Sequence, residues 1–330
     1  MAVDASAVDY AIRTRGLSMR YGSMWAVRDL ELDVYRGEVY ALLGPNGAGK
    51  TTSVEILEGF RKRTVGEASV LGVDPAQADA RWRARVGVVP QSTGAFDDLT
   101  VAEIVGHFAG FYPAPLRPED AIEVVGLGEQ RDTRCVDMSG GQKRRLDVAL
   151  GIVGDPELIF LDEPTTGLDP VARRQAWDLV RALATRGKTV VLTTHYLDEA
   201  EELADRAGII ARGTLVEVGT ITELGGRSVA ATQVSFQRTG SLAALALPPL
   251  PVGTEVGLDE SHANGTIMLR TKTPTAVLAA LTSWAAAVGV EELDGLRVQA
   301  PSLEDVYLSM IRDGASEEVS AADVYAEAAS

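Results

Sequence analysis

The chain has 330 residues, with 47 acidic and 31 basic side chains and a formal net charge of -16. This length allows two domains and a sizeable core. The acidic balance argues against broad electrostatic binding to nucleic acid or to an anionic membrane surface, because both need a basic face. The single cysteine, Cys135, cannot form an intramolecular disulfide, which favours a reducing cytoplasm and a structural thiol rather than a nucleophile.

The N-terminal residues 1–10 contain no basic region followed by an apolar core, so we expect a loose tail rather than a signal peptide. The longest uncharged run, between Lys272 and Glu291, contains a proline, three threonines and a serine. It predicts a buried helix rather than a membrane span. Any role at a membrane is therefore expected to depend on a partner.

Short strand segments such as Leu30 to Tyr35 are predicted between residues 12 and 40, ahead of an apolar strand from Val39 to Leu43. β-branched residues predict another strand at Val86 to Val89. From about residue 92 to 156, helical periodicity is broken by prolines, which indicates an inserted helical subdomain.

Strand patterns return at Leu158 to Leu161 and Thr189 to Thr194, with an amphipathic helix between them from about Ala172 to Ala184. Strands that alternate with helices of this length predict an α/β fold with a parallel sheet, whose ligands bind at the carboxyl ends of the strands. A small antiparallel β layer precedes it. Four acidic residues are expected at the solvated start of the next helix: Asp198, Glu199, Glu201 and Glu202.

The pattern changes again after residue 226, which divides a main domain at 11–226 from a small α+β domain at 227–312. The strands predicted in the second domain are Val229 to Arg238, Thr266 to Thr271 and Leu296 to Ala300, and the helices are Thr275 to Val288 and Ser302 to Arg312. Residues 313–330 carry five acidic residues and no basic ones, which predicts a disordered tail.

The stretch Gly44 to Thr52 reads GPNGAGKTT and directly follows a predicted strand, as a phosphate-binding P-loop does. Its glycines let successive backbone N–H groups point at phosphate oxygens, and the helix that we expect from Thr52 to Phe60 offers the positive end of its dipole. Lys50 can reach the terminal phosphates, and the Thr51 hydroxyl can ligate magnesium. We therefore expect the whole loop to bind nucleotide: Gly44, Pro45, Asn46, Gly47, Ala48, Gly49, Lys50, Thr51 and Thr52.

Residues Leu158 to Glu163 read LIFLDE, an apolar strand that ends in two carboxylates. Asp162 at the end of a buried strand can join a magnesium shell, commonly through water. Glu163 lies one residue further on, where it can orient an attacking water. Paired carboxylates after a strand are common, and this pair gains weight from its position after Lys50 and before the sequence PTTGLDP.

Residues Met138 to Gln142 read MSGGQ and precede a basic turn at 143–145. Ser139 and Gln142 have the spacing of a capping box, which predicts a helix start. The apolar residues that follow have helical spacing: Leu146, Ala149, Leu150 and Val153. A helix start with two glycines and a serine suits an anion, and an ordinary capped surface helix is the alternative from these residues alone.

Over roughly residues 11 to 225, these motifs together resemble the nucleotide-binding subunit of an ABC transporter. GPNGAGKTT resembles the Walker A motif, LIFLDE the Walker B motif, and MSGGQ the signature sequence, in which Met138 replaces the usual leucine. Gln91 resembles the Q-loop glutamine, Asp169 belongs to a segment that resembles the D-loop, and His195 resembles the switch histidine. Tyr21 lies about where an aromatic residue stacks on adenine. Tyr21 could instead be a packed aromatic at a strand end, and Gln91 a simple turn residue.

The resemblance implies an ATPase that uses ATP and Mg2+, with catalytic roles for Glu163 and His195. It implies that the metal is held by Thr51, Gln91 and Asp162. It also implies a head-to-tail dimer of two copies, in which each ATP lies between the P-loop of one copy and the signature helix of the other. The further residues implied in nucleotide binding are Ser139, Gly140, Gly141, Gln142 and Asp169.

Two segments resemble drug-export subunits, including daunorubicin/doxorubicin resistance ATPases: ARGTLVEVGT at 211–220 and APSLEDVYL at 300–308. A bare helix cap at Ser302 is the alternative for the second segment. Our leading interpretation is the motor subunit of an exporter of a drug-like or other hydrophobic compound, bound to a separate membrane permease at the cytoplasmic face of the cell membrane. The alternatives are an importer motor and a soluble ABC ATPase with a nucleic-acid or ribosomal partner, against which the acidic charge counts.

Overall fold

The computed structural model describes residues 9–91, 96–226, 231–239, 242, 246–259, 266–299 and 303. The chain forms two compact units, which divide between Ile221 and Thr222. The described strands are β1 (Tyr10–Tyr21), β2 (Met24–Leu30), β3 (Asp33–Tyr35), β4 (Val39–Leu43), β5 (Val65–Val70), β6 (Val86–Val89), β7 (Leu158–Asp162), β8 (Thr189–Thr194), β9 (Arg206–Ala211), β10 (Thr214–Thr220), β11 (Thr232–Gln237), β12 (Glu255–Asp259), β13 (Thr266–Thr271) and β14 (Arg297–Gln299). The described α-helices are α1 (Lys50–Leu57), α2 (Ala80–Arg83), α3 (Val101–Ala109), α4 (Pro118–Val124), α5 (Gly140–Ile152), α6 (Pro170–Thr185), α7 (Leu197–Leu203) and α8 (Pro274–Ala287).

An antiparallel layer forms the start of the first unit, with strands in the order β2-β1-β3 and β5 paired to β1. Tyr10, the last residue of the predicted tail, belongs to β1, and its ring stacks on Tyr35. Residues 1–8 of the predicted tail lie outside the described residues. The single strand predicted at Leu30 to Tyr35 is wrong. The predicted strand is interrupted between β2 and β3. At this interruption, the Thr14 hydroxyl donates to the Leu30 carbonyl and accepts from the Leu32 N–H.

A six-stranded sheet in the order β10-β9-β4-β8-β7-β6 forms the centre of this unit. The five strands from β9 to β6 are parallel, and β10 pairs antiparallel at the edge. Every side chain of β4 is buried, as expected for a parallel strand that is covered on both faces. The strands predicted at Val39 to Leu43, Val86 to Val89 and Thr189 to Thr194 are confirmed with the same bounds.

The helical subdomain predicted between β6 and β7 contains α3, α4 and α5. The capping box of Ser139 and Gln142 is present at the start of α5. The four apolar residues with helical spacing are all buried: Leu146, Ala149, Leu150 and Val153. Cys135 is a buried free thiol whose pKa is raised by burial, which fits the predicted structural role.

The second unit contains an antiparallel sheet in the order β12-β13-β11-β14, with α8 packed against β11. Its core includes Phe236 of β11, Leu269 of β13 and Leu281 of α8. Strand β12 was not predicted, because the sequence EVGLD carries a charge at each end and a glycine at its centre. The helix predicted at Ser302 to Arg312, apart from Leu303, and the tail at 313–330 lie outside the described residues.

Within the described parts of the chain, no helix combines the length and the apolar character that crossing a membrane requires.

Glu157 joins two basic side chains next to the first residue of β7. Its carboxylate accepts from Arg36 Nη1 at 2.8 Å and from Arg85 Nη2 at 3.0 Å. The hydrogen bond from Arg85 is the main cause that lowers the pKa of Glu157 to about 2. A carboxyl group with a lowered pKa in the folded state stabilises the fold above its unfolded pKa, and this contribution is lost as the pH falls towards the folded pKa.

We predict that Glu157→Gln lowers the free energy of unfolding at pH 7 by about 1 kcal/mol, a modest loss because the three side chains are partly exposed to screening solvent. The difference from the parent should shrink between pH 4.5 and pH 2, where the parent carboxylate becomes protonated. Urea unfolding of both chains across this range measures it. A difference that stays constant with pH would contradict the ion-pair explanation.

Candidate active site

The P-loop connects the carboxyl end of β4 to the start of α1, which begins at Lys50. Gly49 has a φ of 105°, and a Cβ at this position would lie 2.5 Å from the Ala26 carbonyl oxygen of β2. Only glycine fits this approach. The first N–H groups of α1 have no partners inside the helix, so they can donate to an anion together with the positive end of the helix dipole.

Lys50 is buried, and its ammonium group contacts the backbone at the start of the loop. Its Nζ donates to the carbonyls of Gly44 at 2.7 Å and Pro45 at 3.2 Å, and it lies 3.9 Å from Glu163 Oε1. Burial lowers the pKa of Lys50, while the charges of Glu163 and Asp162 oppose this shift. The structure therefore places a buried cation between the loop carbonyls and the carboxylates at the end of β7.

Several side chains converge on the carboxylate of Glu163. Gln91 Nε2 donates to Oε2 at 3.3 Å, the Thr166 hydroxyl donates to the same atom at 3.0 Å, and His195 Nδ1 lies 3.3 Å from Oε1. The backbone of Glu163 has a φ of 45°, a left-handed conformation that is uncommon for residues other than glycine. Strained backbone of this kind is found preferentially at functional sites.

Asp162 is the last residue of β7, directly opposite Thr193 of the neighbouring parallel strand β8. The Thr193 hydroxyl donates to Asp162 Oδ1 and accepts from the backbone N–H of Glu163 at 3.0 Å. This threonine was not predicted as a site residue, since a hydroxyl within the strand sequence TVVLTT carries no motif signal. It binds the carboxylate of Asp162 and the backbone of Glu163 at the end of β7.

The donor types near Lys50 fit Mg2+, which prefers oxygen ligands and commonly keeps waters and substrate phosphates in its shell. Asp162 has a carboxylate, Gln91 an amide oxygen, and Thr51 a hydroxyl on the first turn of α1. Among the described residues, no group of three or more His, Cys, Asp or Glu side chains could hold a metal ion. This composition suits a metal that is bound together with a phosphate group.

The signature residues lie at the start of α5, where Ser139 is the N-cap. Ser139 accepts from the Gln142 N–H, Gln142 Oε1 accepts from the Ser139 N–H, and a Cβ on Gly141 would lie 3.0 Å from Ala172 Cβ of α6. Within the described residues, no hydrogen bond or ion pair connects Ser139, Gly140, Gly141 or Gln142 to Lys50 or Glu163. One chain therefore does not join the two sets of predicted nucleotide ligands through direct polar contacts.

Asp169 caps the N-terminus of α6. Its carboxylate accepts from the backbone N–H groups of Val171 at 2.8 Å and Ala172 at 3.0 Å. These two bonds lower the pKa of Asp169. The carboxylate is thus engaged at the start of its own helix, and contact with a nucleotide stays a prediction.

Tyr21 is the last residue of β1, with 38% of its surface exposed. The Arg61 guanidinium carbon lies 5.3 Å from the centre of its ring. Glu55 of α1 holds this arginine by accepting from its Nε at 2.6 Å. One side of the tyrosine ring is therefore backed by a cation, and stacking on adenine by the remaining exposed surface stays a prediction.

The expectation of four solvated acidic residues at the start of α7 is wrong for Glu199. This side chain is fully buried, whereas Asp198, Glu201 and Glu202 are exposed. Glu199 Oε1 accepts from Trp177 Nε1 at 3.3 Å, and burial raises its pKa. Helical spacing explains the difference, because Glu199 shares the inward face of α7 with Ala200 and Leu203.

Known proteins resemble this chain over most of its length. Residues 27–166 match a family described as ABC transporter, and residues 232–302 match one described as the C-terminal domain of ABC transporter domain-containing protein-like proteins. The daunorubicin resistance ATP-binding protein DrrA3 of Streptomyces coeruleorubidus is 36% identical over 315 residues, which cover 92% of this chain and 97% of that protein. The chain belongs to the ABC transporter family. It is an ATPase subunit of the drug-exporter type.

Other relatives of this ABC ATPase align over the first unit. The daunorubicin/doxorubicin resistance ATP-binding protein DrrA of Streptomyces peucetius is 45% identical over 219 residues, covering 65% of this chain and 66% of that protein. The Nod factor export ATP-binding protein I of Mesorhizobium japonicum is 41% identical over 224 residues, covering 66% of each. These relatives do not favour the importer motor or the soluble ABC ATPase that the sequence left open.

Solved structures show the same fold. The cbiO1 protein of Clostridium perfringens, described as part of an ABC transporter complex, has a TM-score of 0.60 and 26% identity, covering 65% of this chain and 90% of that one. A bacterial Atm1-family ABC exporter with ATP bound has a TM-score of 0.58 and 25% identity, covering 68% of this chain and 41% of that one. The α/β core with its antiparallel layer and helical subdomain is thus the expected ABC ATPase fold.

We predict that Lys50→Ala raises the dissociation constant for ATP by about 10- to 100-fold, because it removes a charge-assisted donor to the phosphates. Lys62→Ala, which removes an exposed lysine beyond α1, is the control and should leave the affinity unchanged. Isothermal titration calorimetry of both variants measures the effect. Unchanged ATP binding by Lys50→Ala would contradict the assignment of the loop.

Proposed function

We propose that this ABC ATPase is the motor of an exporter that moves a drug-like or other hydrophobic compound through a separate membrane permease. The match over nearly the full length of a daunorubicin resistance ATP-binding protein supports the export part. The convergence of Lys50, Gln91 and His195 on Glu163 supports the hydrolysis part, and it is the observation that carries the proposal. The predicted location is the cytoplasmic face of the cell membrane, where the permease would hold the chain.

In the proposed mechanism, the P-loop N–H groups and the Lys50 ammonium hold the β- and γ-phosphates of ATP. Thr51, Gln91 and Asp162 would hold Mg2+, which supplies charge neutralisation on the phosphate oxygens when it is bound. The substrate would displace water from around the buried Lys50. In the resulting low dielectric, each charge contact is stronger than in bulk water.

Glu163 would orient the attacking water, since its carboxylate lies within reach of the Lys50 ammonium and is held by Gln91 and Thr166. His195 Nδ1 contacts Oε1 of this carboxylate, the oxygen that Gln91 and Thr166 do not bind. From this position, the imidazole would donate to the γ-phosphate. The carboxylate and the imidazole thus work on one phosphoryl group from two strands of the same sheet. Phosphoryl transfer depends mainly on such positioning and charge stabilisation.

Two copies would be required for two complete sites. Ser139, Gly140, Gly141 and Gln142 would contact an ATP bound at the P-loop of the other copy, in a head-to-tail dimer with Asp169 at the interface. Among the described residues, no direct polar contact joins these signature residues to Lys50 or Glu163 within one chain, which supports this arrangement. A nucleic-acid partner is not part of the proposal, because the net charge of -16 opposes one.

We predict that Glu163→Gln keeps the ATP affinity of the parent and lowers kcat by about 100-fold or more, because the neutral amide lacks the charged carboxylate that orients the attacking water. Glu123→Gln, on the exposed side of α4, is the control and should hydrolyse ATP at the parental rate. Phosphate release and ATP titration are measured on the same preparations. A Glu163→Gln chain with parental turnover would refute the role of this carboxylate.

The export part is tested by ATPase activity of the chain reconstituted with its permease in lipid vesicles. Adding daunorubicin, the compound to which the names of two relatives refer, should raise the rate above the basal level. The Glu163→Gln complex is the control and should show no stimulation. Normal basal turnover without stimulation by daunorubicin or other hydrophobic compounds would contradict the proposed cargo class while leaving the ATPase assignment intact.

A further inference from the structure

Arg144 is a buried arginine in the second turn of α5, and 8% of its surface is exposed. Its guanidinium donates to three backbone carbonyls: Nε to Pro164 at 3.0 Å, Nη2 to Asp162 at 3.0 Å, and Nη1 to Pro90 at 2.5 Å. These carbonyls belong to chain segments that are 54 and about 20 residues away from Arg144 in sequence. From the sequence alone, Arg144 was only one of three basic residues after the signature.

The three carbonyls flank the two side chains proposed to act in hydrolysis. Asp162 and Pro164 are the residues on either side of Glu163, and Pro90 directly precedes Gln91. The guanidinium is a rigid planar fork, so three simultaneous bonds fix the relative positions of the segments that they join. Arg144 therefore connects α5, which carries Ser139 at its start, with the backbone that positions Glu163 and Gln91.

The local backbone needs such support. Glu163 has its strained φ of 45°, and its N–H donates to Thr193 of β8 on the side of the sheet. Arg144 holds the carbonyls before and after it from the side of α5. Strained conformations of this kind persist only where the surrounding contacts over-determine them. Asp147, one turn further along α5 and 3.7 Å away, compensates the charge of the buried guanidinium.

We infer that Arg144 is a positioning residue for ATP hydrolysis, which transmits the position of the signature helix to Glu163 and Gln91. The inference rests on the proposed function, because it acts through the proposed role of Glu163. A shift of α5 would move three carbonyl groups at once, and with them the carboxylate that orients water. Hydrolysis would then depend on where the signature helix lies, while binding of ATP to the P-loop would not.

Arg145 offers a matched control on the same helix. Its Nη1 donates to the carbonyl of Gly126 at 3.0 Å, a contact within the helical subdomain. None of its described hydrogen bonds reaches the backbone around Glu163 or Gln91. Truncation of Arg145 removes a guanidinium of the same size from the same helix, so it reports the purely structural cost of such a loss.

The test compares Arg144→Met, Arg144→Lys and Arg145→Met in the full chain, with ATP affinity, kcat and thermal stability measured for each. Arg144→Met should lower kcat by about 10- to 100-fold, as expected for a displaced reacting group, and change the dissociation constant for ATP by less than about twofold. Arg144→Lys should recover part of kcat, because an ammonium can keep one or two of the three bonds. Arg145→Met should keep the parental kcat.

A double variant separates this inference from the proposed function. If Arg144 acts through Glu163, adding Arg144→Met to Glu163→Gln should lower kcat little further, whereas independent effects would multiply. Three results would overturn the inference. They are a parental kcat in Arg144→Met, a loss of ATP affinity in Arg144→Met as large as its loss of kcat, and the same loss of kcat in Arg145→Met. If Arg144→Met does not fold, the same comparison is made with Arg144→Lys. Parental turnover of Glu163→Gln alone would instead refute the proposed function.

Discussion

The site depends on the register of three parallel strands. Leu43 of β4 lies opposite Thr194 of β8, and Thr193 of β8 lies opposite Asp162 of β7. Because the carboxyl ends of these strands meet at one edge, the P-loop, the two carboxylates and His195 are brought together there. The buried ammonium of Lys50 then lies 3.9 Å from Glu163, and the nearby carboxylates offset part of the cost of burying this cation.

Much of this arrangement could be predicted from local sequence patterns. The apolar run before Gly44 predicted β4 with its observed bounds, and the spacing of Ser139 and Gln142 predicted the start of α5. Such signals are short in range: a strand, a glycine turn or a cap is specified by residues within a few positions of one another. The resemblance to ABC transporter subunits implied that Gln91, Glu163 and His195 belong to one site, and the structure does bring these side chains together.

The remaining features depend on contacts between distant segments, which no local pattern contains. Arg144 is one of three consecutive basic residues. It is the one of the three that is buried, because α5 packs against the ends of β6 and β7. Glu199 is one of four acidic residues near the start of a helix, and only the orientation of α7 distinguishes it from its exposed neighbours. The strained backbone of Glu163 likewise follows from the hydrogen bonds of β8 and α5 around it, rather than from its residue type.

The central claim of our account is that one chain holds two separate halves of an ATP site, so that a second copy must complete each. The most direct test is the molar mass of the Glu163→Gln chain, measured by light scattering with and without Mg2+ and ATP. This variant should bind ATP without hydrolysing it, so the account predicts the mass of two chains when ATP is present. It predicts the mass of one chain when ADP replaces ATP, and also when Ser139→Arg is combined with Glu163→Gln. A single-chain mass under saturating ATP, with binding confirmed by calorimetry, would contradict it.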